Sequence, residues 1–541
     1  MSPTSIGRAS AFLASGTIVS RVMGFVRAII LAQTIGVVGS ASGDAFAIAN
    51  QLPNNIYAII AGGTLSAVLV PQIVRAMLHH DGGRGYINKL LTISIVILGV
   101  TTLVATVLAP LLVTISAPSW SDDQRALGIA FAYWCLPQIF FYGLYTVLGE
   151  VLNAKGVFGP FTWAPVINNV VSIVGLVAFM ALFGVDPEGE RLVTDWGPDK
   201  ITLLAGSTTA AVAAQALVLF LFWRRAGIRY RPDFAWRGVG LGAAGKLAGW
   251  TFGMLLVSQA AGLVETAVAA TASGGDNASV LALQNAWLIF MLPHSLITVS
   301  LVTAYFTKMS GHANRGEIPE LRRDVSAALR ITLLFMVLGM IVLMVAAYPF
   351  ASIFVETYAQ TQAMGNLLIG FLVGLIPFSV LFVLQRVFYS LSDTKTPFFL
   401  QVLQASIFVV LVLSCLLLPD ALVAVGIAVS LSLATGVQVV VAAVIIRRRL
   451  GGTGGGRVAR SFVRFLVAAI PSAAAGVLVY LGIQSLLGET FLTTGYVTPL
   501  VSMAVIGVVM LAVYLGALAV VRSPELADAL GPVRARLSRG R

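Results

Sequence analysis

Four ionisable residues lie in segments that are otherwise apolar enough to cross a membrane. Arg21 and Arg27 belong to SRVMGFVRAIIL. Asp44 begins DAFAIANQLP, and Glu265 lies within SQAAGLVETAVAATAS. An arginine at the centre of a transmembrane helix costs roughly 2.5–3.5 kcal/mol on insertion scales, and lipid offers no partner for it. Something other than lipid must therefore face these side chains.

The two arginines share one face of the first apolar segment. On a helical wheel at about 100° per residue, one sector of about 120° holds its polar and small residues, namely Thr17, Ser20, Arg21, Gly24 and Arg27. Snorkelling to the nearer interface could serve one arginine near a helix end, but Arg21 and Arg27 are about 9 Å apart along the axis and both lie well inside the span. We therefore predict a water-filled cavity lined by two guanidiniums, which suits a phosphate or pyrophosphate better than a cationic drug.

The two carboxylates allow more than one interpretation. Asp44 follows the loop GVVGSASG, so it could be a helix N-cap or an outer gate residue that reaches toward Arg27. Glu265 lies deep in the seventh apolar segment with no basic neighbour in sequence. Intramembrane carboxylates are costly and usually functional, which favours a coupling or substrate-contact role for Glu265. Asn168 and Asn169 are expected to bond between helices.

The composition identifies lipid as the solvent of most of the chain. Hydrophobic residues make up 58% and charged residues 10% of the 541 residues, whereas about a quarter of a soluble domain is charged. This is an integral membrane protein. The formal charge of +12 then belongs to cytoplasmic loops rather than to a nucleic-acid interface, and no nucleic-acid partner is predicted.

Apolar runs of about 20 residues, the length that crosses a hydrocarbon core of about 30 Å, recur fourteen times. The predicted spans are 11–36, 45–74, 90–117, 126–152, 159–184, 202–223, 247–273, 278–306, 331–355, 363–391, 397–418, 421–446, 461–487 and 496–521. Only Arg125, Arg191 and Lys200 of the 34 lysines and arginines fall in outer loops. Both termini are therefore predicted to be cytoplasmic.

The basic clusters of this topology are WRRAGIRYRPDFAWR, RRDVSAALR and RRRLGGTGGGRVARSFVR. They are predicted to be solvated loops that face anionic lipid, with GGTGGG at 451–456 as a flexible linker.

Repeated motifs indicate how the spans are grouped. Leu-Pro pairs in the second and eighth spans, and prolines in the loops after the fourth and tenth, recur at nearly equal offsets. The sequence thus predicts an all-α polytopic fold with two parallel six-helix lobes around a central cavity, plus two C-terminal helices. The predicted parts are an N-terminal lobe at 1–235 that includes a cytoplasmic loop, a C-terminal lobe at 236–450, the last two helices at 451–523 and a cytoplasmic tail at 524–541.

No catalytic chemistry is predicted. No nucleophile and base form a plausible pair, and the outer loops are too short to form a catalytic domain. His79 and His80 adjoin Asp81, but no other metal ligand is nearby in sequence, and zinc sites need three or four. No metal or cofactor is therefore expected, and transport would be driven by membrane potential or an ion gradient.

Four segments together resemble the MurJ (MviN) family of lipid II flippases, within the superfamily of multidrug, oligosaccharidyl-lipid and polysaccharide exporters. They are SRVMGFVR, DAFAIANQLPN, LGEVLNAKGVFGPFTWAPVINN and LQRVFYSLSDTKTPF. The resemblance implies a bacterial cytoplasmic membrane protein that exports the lipid-linked disaccharide-pentapeptide precursor of peptidoglycan by alternating access. It implies that Arg21 and Arg27 bind the pyrophosphate and that Asp44 is the acidic residue at the start of the second helix. Membrane lipids and the cell-wall synthesis machinery are the other implied partners.

The chain departs from the family pattern at positions that bear on charge. Tyr57 and Leu288 stand where several members carry arginine, so pyrophosphate binding would rest more heavily on Arg21 and Arg27. Some members bind sodium through acids in the seventh and eleventh helices. Glu265 could supply the first, but the eleventh span has no acid.

Two other functional classes remain open at this point. A drug or cation antiporter of the same fold would want an acid-lined cavity, and a polyprenyl-linked glycosyltransferase would want carboxylates on substantial outer loops.

Overall fold

In the computed structural model, residues 3–64, 83–225, 227, 230–235, 241–452, 454–488 and 495–527 are described. They form helices, turns and connecting loops, with no β-strand among them. The long helices are α1 Pro3–Ile35, α2 Ala41–Thr64, α3 Arg84–Val107, α4 Asp122–Ala154, α5 Gly159–Phe183, α6 Pro198–Trp223, α7 Leu241–Ala269, α8 Val280–Asn314, α9 Ile318–Val345, α10 Tyr358–Ser390, α11 Lys395–Ser414, α12 Asp420–Leu450, α13 Gly455–Leu487 and α14 Val497–Val520.

The number of helices confirms the predicted polytopic fold. Thirteen helices in the described part of the chain are long and apolar enough to cross a membrane. The fourteenth, α2, is 24 residues long, which at about 1.5 Å per residue is sufficient for a hydrocarbon core of about 30 Å. It is more polar because its sequence contains Asp44, Asn50 and the Pro-Asn-Asn run.

Several of these helices change geometry partway. The two segments of α4 meet at Pro137, because proline lacks the amide hydrogen that a continuous helix needs. Single π-helical turns occupy Thr202–Gly206 in α6 and His294–Thr298 in α8. The second of these directly follows Pro293. The two segments of α10 meet around Gly374.

Two segments that are predicted to be cytoplasmic loops differ from that prediction. RRDVSAALR is helical and belongs to α9, which begins at Ile318. It folds as a helix because Leu321, Val325 and Leu329 form a buried apolar stripe along one helix face. RRRLGGTGGGRVARSFVR is also mostly helical. Only residues 451–454 separate α12 from α13, so Gly455 and Gly456 of the predicted flexible linker belong to α13.

The first compact unit, Met1–Gly275, contains α1 to α7. In it, α5 packs against α1 and α6, α2 packs against the first half of α4 and against α7, and α3 packs against the second half of α4. Its principal buried cluster combines Leu91 of α3, Leu148 and Leu152 of α4, and Trp223 of α6.

The second compact unit, Asp276–Arg541, contains α8 to α14. Here α12 packs against α10 and α11, whereas α9 connects α8 to α13, and α14 packs on α13. The aliphatic faces of α9, α13 and α14 meet at Val337, Phe465, Met510 and Tyr514. The two C-terminal helices therefore belong to this unit because α9 covers them.

The predicted division into lobes and tail stays a prediction, but packing places α7 with the first six helices. The Gln259 side-chain amide of α7 donates a 3.0 Å hydrogen bond to the backbone carbonyl of Asn55 in α2. The sequence alone assigns α7 to the second half, because internal repeats carry no information on which neighbour a helix chooses.

Candidate functional site

The first helix carries both arginines and packs on α5 through small residues. A side chain at Gly16 would collide with Trp163, and Gly24 faces Asn169. The Asn169 amide donates a 2.9 Å hydrogen bond to the backbone carbonyl of Ser20. This close packing places one face of α1 against α5.

The structure gives the two arginines different surroundings. The side chain of Arg21 is exposed, whereas that of Arg27 is partly buried. Ile18 and Val22 are also exposed on the apolar side of the same helix. The charge of Arg27 interacts electrostatically with the phenol of Tyr142 in α4.

Tyr142 belongs to a polar network that connects three helices. Its hydroxyl donates a 3.1 Å hydrogen bond to the Gln138 side-chain carbonyl. The Gln138 amide nitrogen lies 3.2 Å from the Asn50 carbonyl oxygen of α2 and 3.1 Å from the Thr209 hydroxyl of α6. Gln138 is fully buried, and a buried amide is costly unless it is satisfied. The network therefore fixes the position of Tyr142, whose phenol interacts electrostatically with Arg27.

Tyr57 stands where the family resemblance implies an arginine. Its hydroxyl hydrogen-bonds the Thr146 hydroxyl of α4, and its ring centroid lies 5.7 Å from that of Tyr142. The phenol rings of Tyr57 and Tyr142 therefore lie close together between α2 and α4. Leu288 in α8 is partly buried and adds no charge.

Asp44 is buried inside α2, and the N-cap role belongs to another residue. The Ser40 hydroxyl accepts a 2.9 Å hydrogen bond from the Gly43 amide. Asp44, 2% exposed, accepts a 2.6 Å hydrogen bond from the Ser273 hydroxyl at the end of α7. In the described part of the chain, no ion pair joins Asp44 to Arg27.

Gln124 of α4 completes this arrangement. Its amide nitrogen donates hydrogen bonds of 2.9 Å to the Ser273 hydroxyl and 3.0 Å to the Ala41 carbonyl. The ends of α2, α4 and α7 are therefore connected by one chain of hydrogen bonds, which we call the Asp44 cluster (Asp44, Gln124, Ser273). Nothing in the sequence pattern of Gln124 or Ser273 indicated this role.

The loop between α5 and α6 packs over the same corner. The Asp186 carboxylate accepts hydrogen bonds of 2.9 and 3.0 Å from the Glu190 and Arg191 amides. Gly189 (φ 74°) contacts Gly36 (φ 69°) so closely that a side chain at either position would meet backbone atoms. This loop holds the α1–α2 turn.

Glu265 lies in α7 with a partly buried side chain. Among the described residues, none hydrogen-bonds its carboxylate, and no group of three or more His, Cys, Asp and Glu could hold a metal ion. His79, His80 and Asp81 lie outside the described residues. Asn168, in contrast, bonds between helices as predicted, donating a 2.7 Å hydrogen bond to Gln215 of α6.

The fold is one that a solved membrane transporter shares. A solved structure described as a multidrug resistance MATE family transporter of the MOP superfamily in an inward-facing conformation superposes with a TM-score of 0.62 at 16% identity. It covers 80% of this chain and 94% of that one.

Within that class, the chain belongs to the lipid II flippase MurJ family, whose family model, "Lipid II flippase MurJ", matches residues 31–522. The family resemblance of the sequence is thereby confirmed. A solved structure described as "Lipid II flippase MurJ, inward closed conformation" superposes with a TM-score of 0.72 at 20% identity, covering 94% of this chain and 98% of that one.

Curated relatives extend over most of the chain. A protein of Rickettsia prowazekii described as "Probable lipid II flippase MurJ" is 26% identical over 444 residues, which is 79% of this chain and 81% of the relative. A protein of Rhizobium tropici with the same description is 27% identical over 397 residues, 70% of each chain.

Proposed function

We propose that this protein moves lipid II, the lipid-linked disaccharide-pentapeptide precursor of peptidoglycan, from the inner to the outer leaflet of the bacterial cytoplasmic membrane. The observation that carries the proposal is the family match over residues 31–522. Cations inside a membrane helix add a physical reason, since a diphosphate needs charged partners where lipid supplies none. No covalent bond is made or broken, so the activity is transport.

Arg21 and Arg27 are proposed to bind the pyrophosphate. Guanidinium groups form two parallel hydrogen bonds to phosphate oxygens, which an ammonium group cannot do. The Arg21 side chain is exposed, whereas the Arg27 side chain is partly buried and interacts electrostatically with Tyr142. With Tyr57 and Leu288 in place of cations, these two arginines carry most of the binding.

The Asp44 cluster is proposed to change during alternating access. It connects three helix ends through the Ser273 hydroxyl and the Gln124 amide. If water takes the place of the Ser273 hydroxyl, these hydrogen bonds can break without leaving the buried Asp44 carboxylate unpaired. Structural neighbours are described in inward-facing and outward-facing conformations, which supports a fold that alternates.

Glu265 is proposed to couple transport to its driving force. A carboxyl within a membrane helix, without a hydrogen-bond donor among the described residues, can take up a proton or a cation. Membrane potential or an ion gradient would supply the energy.

The proposed topology places both termini in the cytoplasm, because the basic residues are concentrated on that side. The cell-wall synthesis machinery that consumes lipid II in the outer leaflet is the proposed protein partner.

Depletion and replacement test the function. In a bacterium whose own flippase is depleted, lipid II should accumulate in the inner leaflet, and this chain should restore its exposure to an impermeant lipid II-cleaving enzyme. The double variant Arg21→Ala/Arg27→Ala should not restore that exposure. Accumulation of a different lipid-linked glycan, with lipid II export unchanged, would refute the proposal.

A further inference from the structure

Polar residues recur at every fourth position along the second half of α4. They are Gln138, Tyr142, Thr146 and Glu150, within QIFFYGLYTVLGE. Residues four apart lie along the same side of a helix, and the opposite side of this segment is apolar and joins the buried cluster through Leu148. Gln138 is fully buried, whereas the other three are only partly buried. We call these three the α4 stripe (Tyr142, Thr146, Glu150), which extends about 12 Å toward the end of α4.

Tyr57 of α2 contacts the α4 stripe along its whole length. Its ring centroid lies 5.7 Å from that of Tyr142, and its hydroxyl forms a hydrogen bond with the Thr146 hydroxyl. Its phenol also interacts electrostatically with the Glu150 carboxylate. The four side chains therefore form one continuous polar and aromatic surface between α2 and α4.

The two ends of the α4 stripe have opposite electrostatic surroundings. At one end, Tyr142 interacts electrostatically with the Arg27 guanidinium, which is proposed above to bind pyrophosphate. At the other end, about 12 Å farther along α4, lies the Glu150 carboxylate. A carboxylate repels a second anion, and none of the four side chains of this surface is a cation. The surface beyond Arg27 therefore suits a neutral group.

The hydrogen-bonding capacity of this surface suits a ligand rich in hydroxyl groups. Only one proton lies between the Tyr57 and Thr146 oxygens, so the second hydroxyl of that pair can donate to a ligand. Tyr142 donates its proton to Gln138, and its oxygen remains an acceptor. The Glu150 carboxylate has about four acceptor positions. A sugar presents donors and acceptors together with apolar ring faces, which the two tyrosine rings can cover.

We propose that the α4 stripe and Tyr57 bind the sugar next to the pyrophosphate of the transported lipid. This inference rests on the proposed function, because it takes Arg27 as a pyrophosphate contact. In a polyprenyl pyrophosphate-linked saccharide, the first sugar is bonded directly to the pyrophosphate, so its binding surface must adjoin the cationic site. Tyr142 provides that junction. Tyr57, in place of the arginine that the family resemblance implies, supplies a hydroxyl and a ring instead of a charge.

Binding of two lipids by the purified full-length protein in nanodiscs tests this site. One probe is the polyprenyl pyrophosphate-linked disaccharide-pentapeptide, and the other is polyprenyl pyrophosphate without sugar. We expect Glu150→Gln to weaken binding of the sugar-bearing lipid about tenfold, because charge-assisted hydrogen bonds are lost. Thr146→Val should weaken it less. Neither variant should change the binding of polyprenyl pyrophosphate, whereas Arg27→Ala should weaken the binding of both lipids.

Tyr145→Phe is the matched control on the same helix. The Tyr145 hydroxyl donates a 2.8 Å hydrogen bond to the backbone carbonyl of Phe161, and Tyr145 is not part of the α4 stripe. This variant should keep the wild-type ratio of the two affinities. Binding of polyprenyl pyrophosphate also reports that each variant is folded. If Thr146→Val binds neither lipid, Glu150→Gln, at the partly exposed end of the stripe, decides the question.

The outcomes separate this inference from the proposed function. Equal weakening of both lipids by Glu150→Gln, or no weakening of the sugar-bearing lipid, would refute the sugar site and leave the proposed function intact. The same holds if the effect of Glu150→Gln disappears with a lipid-linked disaccharide that lacks the pentapeptide, since the stripe would then contact the peptide. Binding of neither lipid by the wild-type protein would contradict the proposed function, and this inference with it.

Discussion

The Ser273 hydroxyl at the end of α7 donates a 2.6 Å hydrogen bond to the carboxylate of Asp44, the fourth residue of α2. Asp44 is buried, so this bond supplies part of what the carboxylate loses in leaving water. Because Gln124 donates to the same serine, the bond also orients Ser273 toward Asp44. The start of α2 and the end of α7 are thereby held together.

A double-mutant cycle tests this coupling. Ser273→Ala and Asp44→Asn should each lower the melting temperature, and the double variant should be little worse than Asp44→Asn alone. The coupling energy should be about 1.5–3 kcal/mol, the range for hydrogen bonds to charged groups. Ser258→Ala, which removes a bond confined to α7 itself, serves as the control. Simple addition of the two effects would exclude the coupling.

The arginines of α1 should tolerate no replacement. Arg21→Ala and Arg27→Ala should each abolish complementation of a flippase-depleted cell at normal expression levels, and Arg→Lys should retain little activity because paired contacts to phosphate are lost. Arg448→Ala, at the exposed end of α12, should complement fully. If the double lysine variant were fully functional, the two arginines would contribute only their positive charge and not paired hydrogen bonds to phosphate.

Glu265 should determine how transport depends on pH. If its carboxyl exchanges a proton or binds a cation during the cycle, Glu265→Gln should lower the transport rate and flatten its pH profile. The measurement is lipid II exposure in vesicles across a series of pH values, with Glu188→Gln of the outer loop as control. A wild-type rate for Glu265→Gln at every pH would return this residue to a structural role.

Cysteine labelling tests the topology. Both native cysteines, Cys135 and Cys415, are buried, so background labelling should be low. A cysteine at Glu188 should react with an impermeant thiol reagent in intact cells, whereas one at Asn314 should react only after lysis. The reverse pattern would invert the assignment of inside and outside.

Glu525 should make stability depend on pH. Burial raises the pKa of its carboxyl, but hydrogen bonds from Ser461, Arg330 and Ser523 outweigh this and lower the pKa to about 2. A carboxyl whose pKa is lower in the folded state stabilises the fold above its unfolded pKa, near 4.5. That stabilisation is lost as pH falls from about 4.5 toward about 2.

The variant Glu525→Gln should therefore cost about 3 kcal/mol at pH 7, and its deficit relative to wild type should shrink below about pH 5. Thermal unfolding across pH measures both effects. Glu320→Gln, in a more exposed pair with Arg323, should change stability by less than about 1 kcal/mol. A deficit for Glu525→Gln that is constant with pH would contradict the assignment.

Local patterns were sufficient for much of the fold. The spans follow from apolar runs, and the family resemblance follows from short motifs, because hydropathy and motif identity are properties of contiguous sequence. The α9 extension was missed because its arginines masked an apolar stripe. The assignment of α7 to the second half followed from the offsets between repeated motifs. Those offsets do not determine which helix α7 packs against, and in the structure it packs against α2.

The sequence by itself determined that Arg21, Arg27, Asp44 and Glu265 require partners other than lipid, since the cost of a charge in hydrocarbon depends only on where it stands in a span. Which groups lie beside them was decided by tertiary structure. Ser273 reaches Asp44 across 229 residues, and Gln138, which accepts a hydrogen bond from Tyr142, is held by Asn50 of α2 and Thr209 of α6. A hydrogen-bond partner is chosen by the packing of helices distant in sequence, and no local pattern encodes that choice.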